Sequence, residues 1–162
     1  FSQPVLLDEV ARSFPRLRMI VSRAGDPWTN ETLALIARHE HVYADLVSFF
    51  ARPWQLYQLL SAAHEQRVTR KLLMGSGFPL STPQQAITAV HMVNTVAAQA
   101  ALPILDREVL HAIVERDALA CLGIAPPKAA RPDEGEVDLL TGQAIKVESP
   151  AGQGPSDRTT SK

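Results

Sequence analysis

"KLLMGSGFPLSTPQQAI", residues 71–87, runs an apolar segment, a glycine-rich turn and a helix start together in one short stretch. Leu72, Leu73 and Met74 read as a strand. Gly75, Ser76 and Gly77 follow, and glycines at a strand end let the chain turn or let another group approach the backbone closely. Thr82, Pro83 and Gln85 then spell a capping box with proline at the first helical position. Behind it Ile87, Val90, Val93, Asn94 and Ala97 recur at helical spacing. A strand, a turn and a helix in that order is one unit of a parallel α/β sheet.

The same unit occurs twice upstream. "RLRMIVS" puts Met19, Ile20 and Val21 in an unbroken apolar run, the pattern of a strand covered on both faces. "AGDPW" turns the chain, and Thr29–His39 reads as a helix with Leu33, Ile36 and Ala37 inward. "HVYADLV" is a second strand, and Pro53 opens a helix carrying Trp54, Leu56, Tyr57, Leu60 and Ala63. A first helix, "QPVLLDEVARSFP", precedes these units. Pro4 suits its first turn, Leu6, Leu7, Val10 and Phe14 form one face, and Pro15 ends it. Downstream, Pro103 breaks the pattern and Asp106 caps a last helix through Val109, Leu110, Ile113, Ala118 and Leu122. Gly123 stops it, and Pro126-Pro127 seals the end.

After Ile124 the composition shifts to Pro, Gly, Ser and charge, which cannot bury enough apolar surface to offset ordering entropy. A mostly disordered tail is expected there, with "VDLLTGQAIKVE" as its one candidate for a hairpin or docking patch. The chain has 162 residues and 46% hydrophobic content, enough for one domain with a core. Its net charge of −1, with both signs scattered, gives no basic stripe for nucleic acid. No apolar run reaches the ~20 residues needed to cross a bilayer, and a cytoplasmic location is expected. The single cysteine, Cys121, excludes a disulfide framework and is expected to be a buried core thiol. The sequence opens at Phe1 rather than Met, which leaves trimming, a removed leader or a longer parent chain all open.

Ligands in parallel α/β proteins gather at the C-terminal ends of the strands. Those ends carry Ser22-Arg23-Ala24-Gly25, Asp45-Leu46-Val47-Ser48 and Gly75-Ser76-Gly77. Arg23 and Asp45 are their only charged members, and either a site or a structural pairing of Arg23 with Asp45 or Asp26 accounts for them. "HEH", His39-Glu40-His41, has the alternation that chelates zinc on a strand. It falls at the N-terminal rim, however, so a solvated helix end favourable to cations is the better account. His64, His91 and His111 sit alone on separate helices and read as surface or boundary residues. Trp28, Trp54 and Tyr57 read as packing residues. "NET" at Asn30 fits a glycosylation sequon, which matters only in a secreted protein.

Four blocks, "LLDEVARSFPRLRMIVSRAGDPW", "HEHVYADL", "KLLMGSGFPLSTPQQAI" and "IVERDALACLGI", resemble the C-terminal half of the amidohydrolase-related proteins. These are metal-dependent hydrolases and decarboxylases, and the resemblance runs from about Phe1 to Ile124. It implies part of a (β/α)8 barrel of the TIM type, with about three parallel strands and flanking helices. In that family an early strand supplies a His-x-His pair, a middle strand ends in histidine and a late strand ends in aspartate. Together these hold a divalent metal, usually zinc, that activates water or polarises the substrate. By this resemblance the early pair would lie upstream of Phe1, the middle histidine corresponds to Arg23, and the late aspartate corresponds to Gly77. Asp45 and Asp26 are then possible rim residues.

Arginine stays protonated and only donates, and glycine offers no side-chain donor. The resemblance therefore implies residues 1–124 as an amidohydrolase-like barrel portion, residues 125–162 as the tail, and no metal or cofactor bound by this chain. It also implies no catalysis by the chain alone, with a partner-binding half-barrel or a truncated remnant as the alternatives. An incomplete ring leaves open strand edges and an apolar inner face. Self-association, or pairing with a missing N-terminal barrel half, is expected, with no nucleic-acid or membrane partner.

Overall fold

Three strands alternate with helices in a computed structural model that describes residues 3–125. A 3-10 turn at Pro4–Leu6 leads into α1 (Leu7–Ser13). Then come β1 (Met19–Val21), α2 (Thr29–Arg38), β2 (Val42–Asp45), α3 (Pro53–Glu65) and β3 (Leu72–Leu73). Three helices follow, α4 (Pro83–Gln99), α5 (Arg107–Val114) and α6 (Ala118–Cys121). The sheet is parallel, in the order β1-β2-β3. Met19, Ile20 and Val21 lie opposite Val42, Tyr43 and Ala44, and Ala44 and Asp45 lie opposite Leu72 and Leu73. This α/β arrangement fits part of a β/α barrel.

Facing residues across a sheet share a side. Val21, Val42, Ala44 and Leu72 point to the side where Leu33 and Ile36 of α2, Leu56 and Leu60 of α3, Val90 and Val93 of α4, and Ile113 of α5 join one buried cluster. The opposite side carries Ile20, Tyr43, Asp45 and Leu73. Ile20 is 45% exposed there, Tyr43 and Asp45 are half-buried, and Leu73 is buried, with the Tyr43 hydroxyl donating to the Cys121 carbonyl at 3.0 Å, so this side is open at the β1 edge. The expectation of a strand covered on both faces therefore fails for β1, an outer strand with one open side.

The capping box forms as the sequence spells it. The Thr82 side chain accepts from the Gln85 amide at 3.2 Å, and the Gln85 side chain accepts from the Thr82 amide at 2.9 Å. Gly123 ends α6 with φ 61. Other expectations need correcting. Leu6 and Phe14 are exposed, and Ala11 is the buried residue of α1. The opening 3-10 turn has three residues per turn rather than 3.6, which rotates the phase of the face. In α2, Leu35 is buried and Ala37 is exposed.

The last helix is two. Arg116 leaves the helical path to donate to the carbonyls of Thr69 at 2.9 Å and Leu72 at 2.6 Å. Asp117 restarts the helix by accepting from the Ala120 amide. "KLLMG" yields a strand of only two residues: Thr69–Lys71 form a 3-10 turn, and the ladder to β2 ends at Leu73, before Met74. Lys71 is buried, and its ammonium donates to the carbonyls of His39, Glu40 and Val42. Cys121 is half-buried rather than a core thiol. Trp54 packs by stacking on Tyr57, with ring centres 5.7 Å apart, yet keeps much of its surface exposed. The tail expected at 125–162 lies, past residue 125, outside the described residues. No helix among the described residues is long and apolar enough to cross a membrane.

Candidate functional site

The three strand ends lie side by side, and the Leu46 amide donates to the Leu73 carbonyl at 3.1 Å to join the second to the third. After β1 the chain enters a tight turn at Ser22–Gly25 in which Arg23 (φ 56, ψ 32) and Ala24 (φ 43, ψ 32) are both left-handed. Each non-glycine residue in that region is disfavoured by roughly 1–2 kcal/mol. The last residue of β2 holds the turn in place. Asp45 Oδ1 accepts from the Arg23 amide at 2.8 Å and from the Val47 amide at 3.1 Å. The carboxylate thus fastens the end of β1 to the end of β2 through the backbone.

The Arg23 side chain goes elsewhere. Its guanidinium reaches Asp26 at 3.5 Å and is 56% exposed. Asp26 has a closer partner in Arg52, whose Nη2 lies 2.9 Å away. Arg52 also donates to the Ser48 carbonyl at 3.2 Å and stands 4.7 Å over the Phe49 ring. Of the two pairings open for Arg23, the structure gives the guanidinium Asp26, and Asp45 takes the amide. Arg52 was invisible to sequence reasoning, because it lies far along the chain from Asp26 and carries no motif.

Gly77 ends the third strand's turn with φ +69, a conformation side chains rarely adopt. A Cβ placed there would sit 2.6 Å from Val47 Cγ1. Val47 belongs to the β2 end, so the loops after β2 and β3 interlock over this position. No sequence signal pointed to Val47.

The N-terminal rim is chemically distinct. His39 is buried, and its Nε2 lies 2.8 Å from Asp8 Oδ1. Asp8 also receives Arg38 Nη1 at 3.1 Å. The hydrogen bond from His39, then that from Arg38, holds the Asp8 carboxyl below its ordinary value of 3.8. The expected solvated helix end is therefore corrected for His39: a paired, buried imidazole ties α1 to the end of α2. His41 turns its Nε2 into a spot without a hydrogen-bond partner. Burial lowers the Lys71 ammonium pKa below its ordinary value, with help from Arg70. His64, His91 and His111 are exposed as expected, but His91 and His111 face each other across α4 and α5.

A family model described as amidohydrolase matches residues 1–124. The chain belongs to the amidohydrolase family. No curated protein and no solved structure matches it. The family match spans all the described elements of the chain, from the Pro4 turn to α6. Among the described residues, no three His, Cys, Asp or Glu side chains converge as a metal-binding group. Arg23, Asp26 and Asp45 gather at the C-terminal rim through hydrogen bonds. Gly77 joins them only through its packing against Val47.

Proposed function

We propose that this amidohydrolase-family chain does not build a divalent metal centre at the C-terminal ends of its strands and acts as a non-catalytic, partner-binding portion of a β/α barrel. The observation that carries this reading is Val47 Cγ1, 2.6 Å from where a side chain at residue 77 would begin. By the family resemblance that residue would supply a carboxylate. Here glycine supplies none, and a neighbouring methyl takes up the space. Two further features support the reading. Arg23 carries a permanent cation that donates only, and the carboxylate that ends β2, Asp45, already spends one oxygen on two backbone amides. The donors at these strand ends do not fit a zinc site, and no catalytic step is assigned to them.

Partner binding rests on the exposed edge of the sheet at β1. Ile20 is exposed there, Leu17 just ahead of β1 is exposed as well, and both outer strands pair on one edge only among the described residues. The occupant would be a second copy or a segment carrying the remaining strands. The test is zinc content per purified chain, measured with and without Asp45→Ala. The reading expects no zinc that depends on Asp45. Stoichiometric zinc that disappears with Asp45→Ala would overturn it.

A further inference from the structure

We infer that His91 on α4 and His111 on α5 form a two-imidazole site for a borderline divalent transition metal, copper(II) or zinc(II). The chain has five histidines, all among the described residues. His39 spends its Nε2 on Asp8, the His41 Nε2 is enclosed, and His64 stands apart on α3. His91 and His111 are left with accessible rings on two different helices. Their ring centres lie 6.5 Å apart with the planes tilted by 50°.

Two imidazoles on one tetrahedral zinc, with Zn–N about 2 Å, hold their ring centres roughly 5 Å apart, and a wider angle at the metal brings that to about 6 Å. A small side-chain rotation closes the difference. Both residues are exposed, so that rotation disturbs no packing.

The backbone separation is set from below. The Asn94 side chain donates from Nδ2 to the Leu105 carbonyl at 2.7 Å and accepts at Oδ1 from the Leu105 backbone amide at 2.8 Å. This pins α4 to the segment that leads into α5, one helical turn beyond His91. The rings open onto a cleft of about 630 Å³ that Asn94, Thr95, Ile104 and Arg107 also line. No carboxylate lines it, so magnesium and calcium find no hard oxygen cage. Imidazole nitrogen suits copper and zinc. Two protein ligands leave the remaining positions to water, so binding is weaker than at a closed four-ligand site. Arg107 places a cation in the same cleft, which lowers metal affinity and gives the test a sign.

The experiment titrates the metal-free full chain with copper(II), zinc(II) and magnesium(II) by calorimetry. The expected result is one saturable equivalent of copper and, more weakly, of zinc, with no magnesium uptake. His91→Ala and His111→Ala should each weaken binding by about tenfold or more. His64→Ala should leave it unchanged, and Arg107→Gln should tighten it. Far-UV circular dichroism checks that each variant is folded, which the exposure of these side chains favours. Unchanged affinity in both histidine variants would overturn the inference. So would the absence of saturable binding, or weaker binding in Arg107→Gln, which is the mark of an anion cleft. Because this pair lies away from Asp45, the double variant His91→Ala/His111→Ala is the right background for the Asp45-dependent zinc assay.

Discussion

Gly77 and Val47 meet at 2.6 Å once a Cβ is added, and the backbone at residue 77 is left-handed as well. Both effects act on any side chain placed there. Gly77→Ala should cost about 1–3 kcal/mol, from positive-φ strain plus overpacking against a branched neighbour. Val47→Ala in the same chain should recover the packing part and leave the backbone part, and urea unfolding of the single and double variants separates the two. The sequence shows a glycine after a strand and raises the question of what approaches it. It does not show that the neighbour is a valine two residues beyond Asp45, because the β2 and β3 loops meet only in the folded sheet. Arg23 and Asp26 were legible as a pair, being three residues apart. The Arg52 contact to Asp26 and the Asp45 bond to the Arg23 amide were not, since both depend on strand register.

Elements were legible where their signals are local. The Thr82–Gln85 box sits within one turn, and α4 starts where it says. The phase of α1 was not legible, because the 3-10 opening at Pro4–Leu6 turns the face. Nor was the break between α5 and α6, because the carbonyls that draw Arg116 aside belong to Thr69 and Leu72, far back in the chain. The facing of His91 and His111 was hidden for a related reason: the Asn94–Leu105 bonds that set it join α4 to the approach of α5.

The Asp8–His39 bond joins α1 to the end of α2 and gives this pair of elements an acid dependence. The Asp8 carboxyl is held below 3.8 in the folded chain, by its bond to His39 first and by Arg38 next. A group with a lowered folded pKa stabilises the fold fully above its unfolded value, and that stabilisation is lost as pH falls through the folded value. Urea midpoints measured from pH 5 downward should therefore fall more steeply in the native chain than in Asp8→Asn. Parallel slopes would show that the carboxylate does not couple the two helices.

At the scale of the whole molecule, β2 pairs on both edges while β1 and β3 each pair on one among the described residues, and Ile20 lies exposed at the β1 edge. Light scattering of the purified chain should give a mass above that of a monomer, and Ile20→Lys should lower it, because a charge at that edge is costly to cover. A monomer unaffected by Ile20→Lys would mean that the exposed β1 edge needs no cover. The base of the sheet is fastened differently. Arg18 reaches the Leu122 carbonyl, Arg116 reaches Thr69 and Leu72, and Lys71 gathers the carbonyls that lead into β2. Lys71 is also the sole lysine among residues 3–125. An amine-directed acylating reagent can therefore modify this region only when the strand bases part, and the labelling rate at that one nitrogen, followed by mass spectrometry, times the event without any introduced reporter.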